Sequence, residues 1–279
     1  MGFRINTNLP SLSAQRSLGQ VNEKQSVTLN KLSSGTRITK SADDAAGLAI
    51  SEKLKGTIRS ARQANRNSND AISLVQTAEG GLNEISSILL RLRELSIQAA
   101  SDTVGNTERS FTDIEYQNLK KEIERISQVT EFNGKKLLNG QGGLYDFQVG
   151  VNNVAAEDRI SFNAAETDTT LTGLNVNELE ILSKESAQGS LSSLDKALDR
   201  VSGQRANLGA IQNRLTSTST NLQTSIENLS AANSRIRDTD FAEETANNVR
   251  YNIMSKAGTA VLSQANMQGS NALQLLSGG

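Results

Sequence analysis

ISEKLKGTIRSARQANRNSNDAISLVQTAEGGLNEISSILLRLRELSIQA, residues 50–99, places apolar or small side chains at alternating steps of four and three: Ile50, Leu54, Thr57, Ala61, Ala64, Ser68, Ala71, Val75, Ala78, Leu82, Ile85, Leu89, Leu92, Ser96 and Ala99. A mean step of 3.5 is the heptad that keeps one helical stripe facing a partner helix. A second run reads Leu191, Leu194, Leu198, Val201, Arg205, Leu208, Gln212, Leu215, Ser219, Leu222, Ile226, Leu229, Asn233 and Ile236, with single polar intrusions suited to setting register. At the usual helical rise the two helices are about 75 and about 70 Å long, whereas a compact domain of this chain length is only roughly 50 Å across. The pattern predicts a mainly α fold, an elongated rod of long antiparallel coiled-coil helices.

Outward from these runs the chain changes character twice. A shorter helix over about 107–129 carries Phe111, Ile114, Leu119, Ile123 and Ile126 and is expected to pack as a third shaft helix. Between 131 and 185, Gly134, Gly140, Gly142, Gly143 and Gly150 punctuate Tyr145, Phe147 and Val149, then Ile160 and Phe162. That alternation predicts a small β-hairpin element. At the ends, Leu18, Val21, Leu29 and Leu32 mark one helix. A last helix over about 241–276 has Ala246, Val249, Ile253 and Ala260 on one side, with Met254, Ala257, Val261, Ala265 and Leu275 elsewhere. A helix apolar on several sides needs more than one neighbour. Six apolar side chains (Leu12, Leu18, Val21, Val27, Leu29 and Leu32) are too few to order the first segment alone, so both ends are expected to be disordered in the monomer and helical on association. The expected divisions are 1–42 with 237–279 as a terminal helical domain, 43–130 with 186–236 as a helical rod, and 131–185 as its β element.

Composition narrows function. Aromatic residues make up 3% of the 279, Trp is absent and proline occurs once, at Pro10, which suits long uninterrupted helices. Lys and Arg number 29 against 30 Asp and Glu, so no bulk field recruits nucleic acid or an anionic membrane. With neither His nor Cys, the usual nucleophilic dyads and zinc sites are unavailable, and no catalytic, cofactor or metal residues are expected. The N-terminus has no apolar core of a cleavable signal and no apolar run is long enough for a membrane span; these signals alone point to the cytoplasm. Arg59, Arg62 and Arg66 form a basic stripe, read as a solvated face or a contact for carboxylates of another subunit.

LSSGTRITKSADDAAGLAISEKL, residues 32–54, reads first as punctuation: Gly35 ends one helix, and Ser41 with Asp44 is a capping-box candidate for the next. The same string resembles the N-terminal signature of bacterial flagellins. So do NDAISLVQTAEGGLNEISSILLRLRELSIQAAS at 69–101, TEFNGKKLLNG at 130–140, SRIRDTDFAEETANNV at 234–249 and AVLSQANMQGSNALQLL at 260–276. The resemblance runs through essentially the whole chain in the family's order, and the short 131–185 stretch leaves no room for large outer domains.

That resemblance implies a structural filament subunit for swimming motility, with terminal helices pairing as a coiled coil and polymerisation through Leu18, Val21, Leu29, Leu32, Val249, Ile253, Val261 and Leu275. It replaces the cytoplasmic expectation with secretion through a type III-like export apparatus to an extracellular filament. Implied partners are other copies of the chain, an export chaperone at the C-terminal segment, the filament cap protein and the hook–filament junction protein. Arg91, Leu95 and Glu115 match a patch that in some flagellins is read by the flagellin-sensing Toll-like receptor; read from the residues alone they are a charged helix face with one buried Leu. The junction protein itself is the alternative within the resemblance. A chemoreceptor helical hairpin should lack the glycine-rich interruption and carry a membrane span, and an enzyme is disfavoured by composition.

Overall fold

The structure is a computed structural model that describes residues 7–277, with side chains described up to Met267. Its elements in order are α1 (Leu9–Ser34), α2 (Ala45–Ala99), α3 (Asn106–Val129), β1 (Glu131–Phe132), β2 (Lys135–Lys136), β3 (Leu144–Gln148), α4 (Ala155–Asp158), β4 (Arg159–Asn163), α5 (Lys184–Arg237) and α6 (Phe241–Ser277). The chain divides into two compact units, one of residues up to Gly56 together with those from Asn228 on, the other Thr57–Glu227. The division falls inside α2 and α5.

In the second unit, α2, α3, the β strands and α5 share one core in which Leu82, Ile85, Leu89, Leu92, Tyr116, Ile123, Leu194 and Val201 are fully buried. From Ala61 to Ala99 every heptad position of α2 is buried. Ile50, Leu54 and Thr57 are not; the buried stripe there runs through Ser51 and Ile58 instead, a phase shift of one residue. In α5 the seam is Ala187, Ser190, Leu194, Ala197, Val201, Leu208, Ile211 and Leu215. Leu194, Val201, Leu208 and Leu215 lie in it as expected, but Leu191, Leu198 and Gln212 sit one residue to the side and are half-buried. Small Ser190 and Ala197 let the helices approach closely, and the Ser190 hydroxyl donates to Ser96 Oγ at 3.0 Å across the seam.

The third helix packs against the core through Leu119, Ile123 and Ile126 as expected, but Phe111 and Ile114 in its first turns do not. Phe111 and Ile114 are 68% and 60% exposed, whereas Arg109, Tyr116, Lys120, Ile123 and Ser127 face inward. The buried cations act as caps. Arg109, 7% exposed, donates to the Ala99 carbonyl (2.8 Å), the Ser101 carbonyl (2.9 Å) and Asn106 Oδ1 (2.9 Å), which satisfies the orphan carbonyls where α2 ends. Lys120 Nζ donates to the carbonyls of Asn177 (2.7 Å) and Leu179 (2.9 Å), pinning the loop that leads into α5, and burial lowers its pKa.

The expected hairpin element is present as two antiparallel pairs. β3 and β4 pair Tyr145 with Phe162 and Phe147 with Ile160, and the buried Ile160 and Phe162 close the core on that side. β1 and β2 join through Asn133 (φ 50°) and Gly134 (φ 75°). Two consecutive left-handed residues make the tight hairpin turn for which Asn-Gly is favoured.

Candidate assembly surfaces

The first unit is built on α1 and α6, and local chemistry sets their ends. Asn8 caps α1 by accepting from Ser11 N–H at 3.1 Å, Pro10 lies in the first turn, and Gly35 (φ 69°) closes the helix with its N–H on the Lys31 carbonyl. The next helix starts differently from the capping-box reading. Asp44, not Ser41, caps α2, its Oδ1 accepting from Gly47 N–H at 2.8 Å. Asp43 turns back onto Thr39 N–H, Thr39 Oγ1 and Lys40 N–H, each at 2.9 Å, and these donors, the Lys40 N–H first, hold its carboxyl below the usual range. A Cβ on Gly47 would run into the Asp44 carboxylate, so the DDAAG string is a compact turn with no space for a larger residue. The turns beside it are joined too: Arg37 N–H donates to the Arg237 carbonyl at 2.7 Å and Thr239 N–H to the Gly35 carbonyl at 3.1 Å.

Helices α1 and α6 run antiparallel along a heptad seam. From α1 it takes Ser11, Ala14, Leu18, Val21, Gln25, Thr28 and Leu32; from α6, Tyr251, Ser255, Gly258, Leu262 and Ala265. Its polar members fix register: Asn8 Nδ2 donates to the Ala265 carbonyl (2.9 Å), Ser11 Oγ to Asn266 Oδ1 (2.8 Å) and Ser255 Oγ to Asn22 Oδ1 (3.2 Å). Of the residues assigned to polymerisation, Leu18, Val21 and Leu32 are half-buried on this intrachain seam. Leu29, Val249, Ile253 and Val261 instead point outward, Ile253 at 63% exposure, beside exposed Leu9, Leu12, Val27, Met254 and Met267. Leu275 lies beyond the described side chains. The seam is thus mixed, with small and polar residues interleaved among Leu18, Val21, Leu32 and Leu262, and a second set of large apolar residues faces away from it. Sequence reasoning missed the Tyr251, Ser255 and Gly258 positions because periodicity was sought among large apolar residues; the same four-and-three spacing of small ones carries the signal.

On the second unit, Arg91 on α2 donates to Glu115 on α3 from Nη2 (2.8 Å) and Nε (3.0 Å), and to Glu94 from Nη1 (3.1 Å). These bonds, the one to Glu115 first, raise the guanidinium pKa further. Leu95 is 2% exposed and belongs to the core. The charged groups presented here are therefore the Arg91–Glu115 pair; Leu90 and Ile97 of α2 and Phe111 and Ile114 of α3 are exposed as well. Among the described residues no group of three or more His, Cys, Asp or Glu is placed to hold a metal ion, and no helix is long and apolar enough to cross a membrane.

Comparison with known proteins agrees with this architecture. Residues 5–142 match the bacterial flagellin N-terminal helical region and residues 191–276 the bacterial flagellin C-terminal helical region. A flagellin of Halalkalibacterium halodurans is 44% identical over 273 residues, covering 98% of this chain and 99% of that protein. The crystal structure of Bacillus cereus flagellin, 32% identical, superposes with a TM-score of 0.51 over 60% of this chain and 94% of that one. A structure described as a flagellar hook-associated protein from Vibrio parahaemolyticus covers 70% of this chain and 100% of that one at a TM-score of 0.58, but at 14% identity it shares the fold alone. Matched at both ends by the family's helical regions and along its whole length by a close relative, the chain belongs to the bacterial flagellins.

Proposed function

We propose that the outward apolar faces of α1 and α6, with Leu29, Val249, Ile253 and Val261 at their centre, are the surfaces through which this flagellin joins its neighbours. As a flagellin the chain is a structural subunit of the bacterial flagellar filament, an extracellular polymer for motility, and not an enzyme. The observation that supports the assignment of these faces is that the terminal pair leaves large apolar side chains exposed on its outer side, Leu29, Val249, Ile253 and Val261 among them, while its seam is partly polar. Contiguous exposed apolar surface on a soluble chain marks an interaction site. Two helices whose shared apolar side chains are only half-buried also gain too little from pairing to offset the entropy of ordering both segments, which supports disorder of the ends before assembly and folding on association.

The decisive experiment is seeded elongation of dissociated subunits, followed by electron microscopy. Ile253→Asp and Val261→Asp should leave the unfolding of the dilute subunit unchanged and abolish elongation; elongation at the unmodified rate would refute the assignment. Strong amide protection of the first thirty-five residues in dilute subunit would refute their prior disorder.

Family membership supports the remaining partners of this reading. They are a type III-like export route that secretes the chain, a chaperone on its C-terminal segment, the cap protein and the hook–filament junction protein. At the outer face, the exposed Arg91–Glu115 pair supports recognition by the flagellin-sensing Toll-like receptor, with Leu95 acting from beneath as a packing residue. Unchanged reporter-cell signalling after Arg91→Ala would sink that reading.

A further inference from the structure

Asparagine is followed by glycine at two places in the chain, Asn133-Gly134 and Asn139-Gly140. The pairing is chemically special because glycine, without a Cβ, leaves its own backbone nitrogen free to approach the preceding side-chain amide. The fold gives the two pairs opposite surroundings. Asn133 and Gly134 form the two-residue turn between β1 and β2, and both are exposed. Among the described residues the Asn133 side chain has no hydrogen-bond partner, and a Cβ on Gly134 would meet nothing within 4 Å. Two residue pairs, Glu131 with Lys136 and Phe132 with Lys135, hold the hairpin shut, and so short a ladder opens readily.

Asn139, by contrast, is 7% exposed. Its Oδ1 accepts from Gln141 N–H at 3.1 Å and its Nδ2 donates to Gln128 Oε1 at 3.4 Å. Asp168 packs against Gly140, where an added Cβ would lie 2.8 Å from the Asp168 Cβ. The preceding residue is tied down too, the Leu138 carbonyl accepting from Thr169 N–H at 2.9 Å. The side-chain amide is clamped there, and burial excludes the solvent base that would have to take the proton from the Gly140 nitrogen.

We infer that Asn133 is a site of spontaneous deamidation and that Asn139 is protected from it. The Gly134 nitrogen, giving its proton to a solvent base, attacks Cγ of Asn133. A C–N bond forms, the Cγ–Nδ2 bond breaks, and ammonia leaves with a proton from solvent. Water then opens the cyclic imide at either carbonyl. One opening restores the ordinary main chain with an aspartate; the other routes the main chain through the side-chain carboxyl as isoaspartate. Aspartate tolerates the left-handed conformation of Asn133 (φ 50°), so that product keeps the turn. Isoaspartate lengthens the main chain by one carbon inside a turn whose two residues already complete the reversal. It uncouples the hairpin from the fully buried Leu137 and Leu138 that follow, of which Leu138 packs over Gly81 of α2.

Trypsin cuts after Arg125, Lys135, Lys136 and Arg159, so the two sites fall in different peptides, 126–135 and 137–159. Folded, dispersed subunit is held in mildly alkaline buffer, sampled over time, digested and read by fragmentation mass spectrometry. Asn133 should convert to the acid forms at least about tenfold faster than Asn139, the ratio that about 1.4 kcal/mol of difference in local opening produces. In chain unfolded by guanidinium the two should convert at comparable rates. Equal rates in the folded chain, or faster conversion of Asn139, would overturn the assignment. Asn133→Asp separates added charge from lengthened main chain. Amide exchange over residues 130–138 should accelerate in aged protein whose isoaspartate is counted by labelled methyl transfer from an isoaspartyl methyltransferase, and should stay unchanged in the variant. No acceleration in the aged protein, or equal acceleration in the variant, would overturn the main-chain account.

Discussion

Leu18 of α1 packs directly over Gly258 of α6: a Cβ added to Gly258 would lie 3.2 Å from Leu18 Cδ1. A helical glycine is less favourable than alanine by about 1 kcal/mol, so its place here is explained by close approach of the two helices. Gly258→Ala requires Leu18 to give by only a few tenths of an ångström, and a half-buried side chain of that kind can do so. We expect it to assemble normally. Gly258→Leu should prise the seam apart and stop seeded elongation without altering the urea unfolding of the second unit; filaments from that variant would show that the α1–α6 register is dispensable.

Arg109 should be among the most costly surface-to-core cations to remove. Its guanidinium closes two backbone carbonyls at the end of α2 and one amide side chain. A hydrogen bond from a charged donor contributes about 1.5–3 kcal/mol, and buried acceptors left without a donor add to the loss. Arg109→Met should therefore destabilise the second unit by roughly 2–4 kcal/mol in urea unfolding followed by circular dichroism. Arg93→Ala, which removes only an exposed pair with Asp195, should change it by under about 1 kcal/mol.

Those two arginines also mark the limit of what periodicity reveals. The stripe from Ala61 to Ala99 was legible because one helix face meets a continuous wall and each step of the heptad returns to it. In α5 the seam lies one residue from the large leucines at 191 and 198, because several elements crowd the helix and the small Ser190 and Ala197 occupy the tightest line of contact. In α3 the buried cations could not be read as inward-facing, since nothing in their spacing tells that an unfinished helix end or a returning loop will supply carbonyls. The large apolar residues of the terminal helices were legible, but the polar and small members of their seam were not, since Asn22, Ser255 and Gly258 carry no hydrophobic signal.

Acid should loosen the turn between α1 and α2. Hydrogen bonds from Lys40 N–H and Thr39 hold the Asp43 carboxyl below its ordinary value, the bond from Lys184 does the same for Asp102, and that from Arg125 for Glu122. A carboxylate depressed in the folded state contributes stability that is present above the unfolded pKa, about 4, and is lost as pH falls through the folded value. Stability should thus decline on acidification below about pH 4. Asp43→Asn keeps an acceptor oxygen but does not titrate, so amide exchange in residues 36–44 should lose its acid dependence. An unchanged acid limb in that variant would show that Asp43 does not govern the turn.

Phe111 and Ile114 distinguish the core that periodicity suggests from the one the fold builds. Were they shaft residues, replacing either with a small polar side chain would cost several kcal/mol, as for any large buried apolar group. Both instead lie on the solvent side of α3, opposite Tyr116 and Ile123. Phe111→Ser and Ile114→Ser should accordingly leave urea unfolding of the dilute subunit within about 0.5 kcal/mol of the unmodified chain, whereas Ile123→Ala, fully buried, should destabilise it by about 2–5 kcal/mol. A large loss from either serine variant would mean that α3 turns its other face to the core. If the subunit is unaffected but filaments form more slowly, the exposed ring and branched side chain serve contacts between subunits, and the face that presents Arg91 and Glu115 is then shared by assembly.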